Sequence, residues 1–189
     1  MRREGREILG LDTTKMATGG SSAGGNLAAV MCQRAALRGH QWFKLQLLSV
    51  PVIDNRAKVL GPRNNPNPYP SWDENEHAPA LPARKMMWYR HHYMPNDDVW
   101  PNYEASPIRW PGDWSTLPPA CIVVGELDVL RSEGEAFGKR LRDAGVEADV
   151  TIMKGQPHPF IAMDGVLEAG SRAITLFCEA LRRAMYPEE

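Results

Sequence analysis

Long apolar runs, cysteine and an excess of charge of one sign are all scarce in this sequence of 189 residues. Because its apolar runs are short, we expect no membrane-spanning helix. A formal net charge of -1 provides no basic surface for nucleic acid or anionic membranes. The three cysteines are far apart, so we expect reduced thiols in or near the core. Residues 1–7 carry basic groups without an apolar stretch behind them, which predicts a cytoplasmic rather than a secreted protein.

Proline, in contrast, is abundant, and its uneven distribution divides the chain. There are 16 prolines in 189 residues, which exceeds the usual share of ~5%. Residues 55–105 are rich in Pro, Asn, Trp and Tyr, whereas the flanking segments alternate between strand and helix patterns. We therefore predict an α/β core formed by residues 1–54 and 106–189, with residues 55–105 as a cap-like insertion over one end of its sheet.

Short apolar runs bounded by turn residues predict the strands of this core, which are residues 15–19, 45–50, 120–124 and 148–153. Helical periodicity between and after them predicts helices at residues 26–37, 132–144 and 167–185. The second of these helices is expected to start with a capping box at Ser132. In the last helix, the residues expected to face inward are Ile174, Phe177, Cys178 and Leu181. This alternation predicts a mostly parallel sheet with helices on both faces.

The segment Gly20-Ser21-Ser22-Ala23-Gly24 lies between the first predicted strand and the first predicted helix. It fits G-x-S-x-G, the sharp turn that exposes a nucleophilic serine. The backbone of such a turn is strained and close to its neighbours, so we expect the two glycines to supply the necessary freedom. The helix that follows directs free N–H groups at the turn, where they would stabilise a negative oxygen. Ser22 is the candidate nucleophile, and a glycine-rich phosphate loop or an accidental turn is the alternative.

A serine nucleophile needs a base, normally histidine, and a carboxylate that orients the base. His158 directly follows the fourth predicted strand, and catalytic groups in α/β sheets gather at such strand ends. The other histidines are expected at the surface or in aromatic packing, and they are His40, His77, His91 and His92. The same rule selects Asp128, in the loop after the third strand, with Glu126 as its nearest rival. The sequence shows neither metal-ligand spacing nor a dinucleotide fingerprint, so we expect no metal and no cofactor.

Six further matches make a family resemblance specific. The sequence resembles the hormone-sensitive-lipase-like, or family IV, carboxylesterases of the α/β-hydrolase superfamily, over nearly the whole chain from Ile8 onward. The family's chain order of serine, aspartate and histidine is also that of the candidates above. The matching segments are residues 20–28 (GSSAGGNLA), 105–107 (ASP), 117–120 (LPPA), 128–134 (DVLRSEG), 141–145 (LRDAG) and 158–160 (HPF).

This resemblance implies an α/β-hydrolase fold and a serine carboxylester hydrolase that acts on a small-molecule ester through an acyl-enzyme. It assigns the nucleophile to Ser22, the base and later acid to His158, and the orienting carboxylate to Asp128. The backbone N–H of Ala23 would be an oxyanion donor. Residues 55–105 would form part of a helical substrate cap. Candidate substrate contacts are Ser21, Tyr69, Trp72, Trp88, Tyr89, Tyr93 and Phe160, although packing within the cap is the other interpretation of these aromatic residues.

Three departures from the family pattern limit what the resemblance implies. Ser21 stands where many relatives carry an acidic residue, and Pro159 stands where glycine is usual. The family's His-Gly-Gly-Gly segment, which supplies further oxyanion donors, has no counterpart here, so we expect the first strands of the fold to be missing. The strand at residues 15–19 would then be an exposed edge, prone to pair with a second copy. We also expect weak hydrolysis at best, since one oxyanion donor is worth about 10²–10³ in turnover.

Three alternatives to an ordinary esterase stay open at this stage. The chain is an impaired or non-catalytic fragment derived from a hydrolase, or an acyltransferase that uses the same three residues with an acceptor other than water. The third is an enzyme whose coding sequence begins upstream of Met1, where a His-Gly-Gly-Gly segment would stand. Labelling of Ser22 by an organophosphonate separates a dead fragment from an enzyme.

Overall fold

A parallel sheet of four strands forms the centre of the computed structural model, which describes residues 2–61 and 67–187. The strands follow chain order across the sheet, and each neighbouring pair is parallel. They are β1 (Met16–Ser21), β2 (Phe43–Ser49), β3 (Ala120–Leu127) and β4 (Ala148–Pro157). The prediction of a mostly parallel α/β sheet is therefore confirmed.

The described residues also contain six α-helices and four short 3₁₀ helices. The α-helices are α1 (Arg2–Leu9), α2 (Ala23–Leu37), α3 (Ser71–Glu74), α4 (Ala83–Tyr93), α5 (Arg131–Asp143) and α6 (Glu168–Met185). The 3₁₀ helices are Asp97–Val99, Pro107–Arg109, Trp114–Thr116 and Phe160–Met163. The sequence did not predict α1, because its mostly charged residues lack an apolar period. None of the helices in the described ranges is long and apolar enough to cross a membrane.

Helices cover both faces of the sheet, as predicted. Leu48, Ile122 and Val124 point to one face, where they pack with residues of α2 and α5. Cys121 and Val123 point to the opposite face and pack against α6. This alternation follows from the two-residue period of a strand, and the continuous apolar run of β3 follows from its burial on both faces.

The buried face of α6 differs from the prediction. Ala173 and Ala180 are buried against the sheet, and Phe177 packs beside them. The other three residues that were expected to face inward are exposed, namely Ile174, Cys178 and Leu181. The small side chains of Ala173 and Ala180 let this face of α6 lie close to the sheet, and Ile174, Cys178 and Leu181 are left on the side toward solvent. The expectation that all three thiols lie in or near the core is thus wrong for Cys178.

The expected capping box at the start of α5 is also wrong. The helix begins at Arg131, so Ser132, the expected N-cap residue, lies inside its first turn, and no side chain caps the helix. The side chains of Ser132 and its neighbour Glu133 are buried and bond to distant segments instead. Ser132 Oγ accepts the backbone N–H of Ser71 at 3.1 Å, and Glu133 Oε2 accepts that of Ile53 at 2.9 Å. Tertiary partners therefore replace the local cap.

The segment 55–105 packs over the carboxyl ends of the strands. An apolar cluster joins Trp72, Leu81 and Met86 of this segment to Val129 and Leu130, which follow β3. Residues 62–66, within its Pro- and Asn-rich part, lie outside the described residues. Helix α4 lies within this segment. The division into a core and a cap-like insertion stays a prediction.

Strand β1 lies at one edge of the sheet. Its partner is β2, and no other strand of the described residues pairs with it. The helix that follows β1 exposes Leu27 and Met31. Self-association through this edge stays a prediction.

Candidate active site

Ser22 lies between β1 and α2 in a strained backbone conformation. Its φ of 57° and ψ of -116° are unusual for a residue other than glycine, and such strain costs about 1–3 kcal/mol. Three hydrogen bonds hold the conformation. The Ser22 N–H donates to Ser49 O at 2.8 Å, and the Ser22 carbonyl accepts the N–H groups of Asn26 at 3.1 Å and Val52 at 3.2 Å. The turn presents the Ser22 hydroxyl at the carboxyl end of β1.

Two glycines are required by close approaches around this turn. A Cβ atom at Gly20 would lie 2.3 Å from the carbonyl carbon of Gly24, and one at Gly25 would lie 2.8 Å from Cβ of Pro51. Both distances are too short for real side chains, so the strand, the helix and the next loop meet only because these positions lack Cβ. The steric requirement falls on Gly20 and Gly25, since a Cβ at Gly24 would meet open space.

A continuous line of hydrogen bonds connects Asp128, His158 and Ser22. His158 Nδ1 lies 2.8 Å from Asp128 Oδ2, and His158 Nε2 lies 3.0 Å from Ser22 Oγ. A carboxylate can only accept, so Nδ1 carries the proton and donates it to Asp128. In the neutral imidazole Nε2 is then free to accept the hydroxyl proton of Ser22. Asp128 is fully buried, while His158 is 14% exposed, at the boundary between core and solvent.

Glu126, the sequence rival of Asp128, lies in a different environment. Its carboxylate pairs with Lys154 Nζ at 2.7 Å and accepts the N–H of Gly155 at 2.8 Å. The hydrogen bond from Lys154, followed by that from Gly155, holds the pKa of Glu126 below its usual range. Asp128 instead uses its second oxygen, Oδ1, to accept the N–H of Leu130 at 3.0 Å. Only Asp128 of the two contacts the histidine.

A cleft opens directly above the reactive groups. Its volume is about 580 Å³, and Ser22 and His158 both form part of its wall. The rest of the wall is mostly apolar and consists of Ala23, Val52, Ala80, Leu81, Lys85, Met86, Tyr89, Tyr93 and Pro159. Ala23 is the first residue of α2, where backbone N–H groups have no acceptor within the helix.

A smaller cavity of about 170 Å³ adjoins the cleft. It shares Ala23, Val52, Met86, Tyr89 and Tyr93 with the larger cavity, and it is completed by Asn26, Leu27, Asn55 and Arg90. Neither Ser22 nor His158 lines this smaller space. The two cavities therefore share part of their walls, and only the larger one reaches Ser22 and the histidine.

Only some of the predicted substrate contacts line the cavities. Tyr89 and Tyr93 line both cavities. Three of the others are buried in packing and do not face the cleft, namely Tyr69, Trp72 and Phe160. Trp88 is 55% exposed and lies against His92 on the outer side of α4. Ser21 is exposed beside the turn and lines neither cavity.

Most residues of the wall, above all Met86, were not predicted from the sequence. A signal was present, because Met86, Tyr89 and Tyr93 are spaced i, i+3 and i+7 and so share one face of α4. Trp88 and Tyr89 are adjacent, and adjacent residues on a helix point in different directions. Helical spacing, rather than aromatic character alone, separates cleft residues from the others.

The buried residues Glu133 and Arg90 lie at the smaller cavity, and Arg90 forms part of its wall. Burial raises the pKa of Glu133 to about 7, opposed by hydrogen bonds from two backbone N–H groups and Trp72 and by the charge of Arg90. Burial lowers the pKa of Arg90, opposed by the charge of Glu133. Arg90 NH1 donates to Ala57 O at 2.6 Å, and its guanidinium lies over the rings of Trp72 and Trp100.

The remaining histidines lie apart from Ser22, as predicted. Three of them pack against tryptophans, in the pairs His40–Trp42, His91–Trp100 and His92–Trp88, and His77 is exposed. Within residues 2–61 and 67–187, no group of three or more His, Cys, Asp or Glu side chains is placed to hold a metal ion.

Comparisons with known proteins identify the fold. A family model described as alpha/beta hydrolase fold matches residues 2–162. An AB hydrolase superfamily protein of Schizosaccharomyces pombe is 46% identical over 170 residues, which cover 88% of this chain and 48% of the relative. Carboxylesterase NlhH of Mycobacterium tuberculosis is 31% identical over 180 residues, which cover 94% of this chain and 53% of the relative.

A solved structure shows the same fold. The crystal structure of carboxyl esterase 2 from Tuber melanosporum superposes with a TM-score of 0.84 at 27% identity, covering 97% of this chain and 58% of that chain. The chain spans about half the length of the curated relatives that it matches.

Proposed function

The chain belongs to the alpha/beta hydrolase fold family, as its resemblance to the hormone-sensitive-lipase-like carboxylesterases predicted, and on that basis we propose that it is a serine carboxylester hydrolase. One observation carries the proposal. The hydrogen-bonded line from Asp128 through His158 to Ser22, at 2.8 Å and 3.0 Å, is the arrangement that activates a serine hydroxyl. Its position at the floor of an apolar cleft supports an ester as the substrate.

The first half of the reaction forms an acyl-enzyme. Ser22 Oγ bonds to the ester carbonyl carbon while its proton passes to His158 Nε2, and the carbonyl π electrons move to the oxygen. The Ala23 N–H donates to this oxyanion, and Asp128 stabilises the imidazolium. The oxyanion then collapses, the bond to the alcohol oxygen breaks, and the alcohol leaves with the proton from Nε2. The acyl group remains on Ser22.

The second half repeats these steps with water. His158 Nε2 takes a proton from water as the oxygen attacks the acyl carbon. When the tetrahedral intermediate collapses, the bond to Ser22 Oγ breaks and Oγ regains the proton. The carboxylic acid leaves, and the resting hydrogen bonds form again. An alcohol that replaced water in this half would make the reaction an acyl transfer, so the ratio of free acid to new ester measures which acceptor is used.

The two cavities accommodate different parts of the ester. The leaving alcohol must lie on the side of His158 because Nε2 protonates it, and the cleft of about 580 Å³ is the space on that side. The acyl group then occupies the cavity of about 170 Å³, which touches Ala23 but not His158. That volume is close to the ~150 Å³ of a protein cavity that holds one benzene molecule. The smaller cavity therefore favours esters with a short acyl chain.

Labelling by a fluorophosphonate tests the function directly. The full chain is expected to take up one label on Ser22 and to hydrolyse a short-chain aryl ester. Ser22→Ala abolishes both results, since it removes the attacking oxygen, and His158→Ala lowers both, because about 10²–10⁴ of rate comes from the base. Peptide mapping of the label and product release are the measurements.

The matched control for this experiment is Ser115→Ala. Ser115 is exposed and bonds to Asp113 at 2.7 Å, remote from the cleft, so its loss leaves labelling unchanged. A folded wild-type chain that takes up no label at Ser22 would contradict the proposal and identify a non-catalytic relative of the esterases.

A further inference from the structure

Hydrogen bonds connect the short helix α3 of the insertion to the loop that carries Asp128 and to the start of α5. Ser71 and Ser132 form a reciprocal pair, in which each backbone N–H donates to the hydroxyl of the other residue, at 3.1 Å and 3.0 Å. The Ser71 hydroxyl also donates to Val129 O at 2.6 Å. Ser71 is completely buried, so these bonds are shielded from water.

Asn75, the residue after α3, holds the loop from the same side. Its side-chain Nδ2 donates to Glu126 O at 3.1 Å and to Asp128 O at 3.2 Å. One amide group thus contacts the backbone on both sides of position 127, at the end of β3. Asn75 is buried, so removal of its amide would take one hydrogen bond from Glu126 O and one from Asp128 O, and Arg131 would remain as the other donor to each.

A salt bridge adds a third link at the edge of the same contact. Arg131 NH1 donates to Glu126 O at 2.9 Å, and Arg131 NH2 pairs with Glu74 of α3. The side chain of Glu74 is half exposed, and an ion pair in that setting contributes little. The buried bonds of Ser71 and Asn75 therefore dominate the contact.

The geometry points to a role for α3 in catalysis: we propose that Asn75, assisted by Ser71, is a positioning residue for Asp128. Asp128 acts on His158 through a single oxygen at 2.8 Å, and its own loop supplies only the N–H of Leu130 as a carboxylate donor in the described contacts. Besides local bonds from Arg131, the backbone around Asp128 accepts hydrogen bonds from Asn75, which lies more than 50 residues earlier in the chain. The proposal rests on the proposed esterase function.

This role of α3 differs from that of a cap that only encloses substrate. Such a cap would affect substrate binding, whereas a brace on the Asp128 loop affects the chemical step. A displacement of about 1 Å in a catalytic group can lower the rate by ~10²-fold. We therefore expect the loss to appear in kcat, while KM for a small aryl ester stays within about twofold.

Two substitutions at Asn75 test the proposal in the full chain. Asn75→Ala removes the side-chain amide, and Asn75→Asp keeps its size but replaces the donor by an acceptor. Both are expected to lower kcat about tenfold or more. The matched control is Asn67→Ala, because Asn67 Nδ2 also makes two hydrogen bonds within the insertion, to Lys58 O and Asp73 Oδ2, yet does not touch the Asp128 loop.

A spectroscopic readout keeps the test independent of turnover. The proton of His158 Nδ1, held by Asp128, is expected as a downfield signal in the proton NMR spectrum of the wild type and of Asn67→Ala. It should broaden or shift in both Asn75 variants and in Ser71→Ala, with thermal melting as the check on folding. A wild type that shows this signal without hydrolysis would refute the esterase function and leave the positioning role of Asn75 intact. A wild-type kcat and a wild-type signal in Asn75→Asp would refute that positioning role.

Discussion

At the scale of single residues, each reactive group needs a second contact to hold it. Ser22 is fixed by a strained turn, His158 by Asp128, and Asp128 by the N–H of Leu130. The same principle applies behind the cavity wall, where Glu133 accepts three N–H groups from two segments. Burial raises the pKa of that carboxyl to about 7, although Glu133 takes no part in the proposed reaction.

Glu133 makes the stability of the fold depend on pH. Because burial raises its folded pKa to about 7 from an ordinary value of 4.5, the folded chain binds the proton more tightly than the unfolded chain between these values. The free energy of unfolding should therefore fall as pH rises from about 4.5 to about 7. Urea unfolding across this range should show a shallower fall for Glu133→Gln, and parallel curves for the two proteins would contradict the expectation.

At the scale of elements, α4 is the part of the fold that shapes substrate choice. One face of this helix presents Met86, Tyr89 and Tyr93 to the cavities, and the opposite face exposes Trp88. The helix thus acts as one wall of the space proposed for the acyl group. Its rotation about its own axis decides which side chains meet substrate.

Shortening Met86 should widen the preference for acyl chains. Met86→Ala enlarges the cavity of about 170 Å³, so kcat/KM for an octanoyl ester should rise relative to a butanoyl ester by about tenfold, the worth of a methylene or two in an apolar pocket. Trp88→Ala, on the exposed face of the same helix, is the matched control. Met86→Ala also lowers the free energy of unfolding by about 2–5 kcal/mol, which a thermal melt measures. An unchanged chain-length profile would argue against the smaller cavity as the acyl site.

The elements show which features could be read from the sequence. The strands and the residues that follow them were predictable, because short apolar runs and strand ends are local signals, and these signals led to Asp128 and His158. The buried face of α6 was not predictable, since Ile174 and Leu181 satisfy the helical period as well as Ala173 and Ala180 do. How closely a helix approaches a sheet is a property of the packed structure, and it decided between the two faces.

The residues around the cleft were also hard to predict, because contacts between distant parts of the chain position them. Aromatic residues of the insertion suggested substrate contacts, but Trp72 is fully buried and bonds to Glu133 at 2.9 Å. That bond joins residues 61 positions apart, and no local pattern reports it. The bonds of Asn75 to the Asp128 loop escaped prediction for the same reason. Long-range polar contacts, rather than the catalytic residues, were the part that the sequence concealed.

At the scale of the whole molecule, the edge strand β1 and the exposed residues beside it form a surface suited to association. A strand edge offers unpaired N–H and C=O groups to a second copy. Leu27 and Met31 of α2, which packs against β1, add apolar area to this edge. We keep pairing between two copies through β1 as a prediction.

Sedimentation velocity over a range of protein concentrations measures this association. The wild-type chain is expected to form dimers or larger species as its concentration rises, and Met31→Lys should weaken them because a charge at the interface resists burial. Val166→Lys, at an exposed apolar residue of the loop before α6, is the matched control. A single monomeric species at all concentrations would contradict the prediction.

The separation of the reactive residues along the chain has a consequence for how the protein folds. The bond between His158 and Ser22 joins residues 136 positions apart, and that between His158 and Asp128 joins residues 30 apart. Contacts of such long sequence separation form slowly, because the intervening chain must be ordered before they are gained. We therefore expect the reactive centre to be among the last features to assemble during refolding. The reactivity of Ser22 toward a phosphonate would then report when the reactive centre forms, after the helices and the sheet have re-formed.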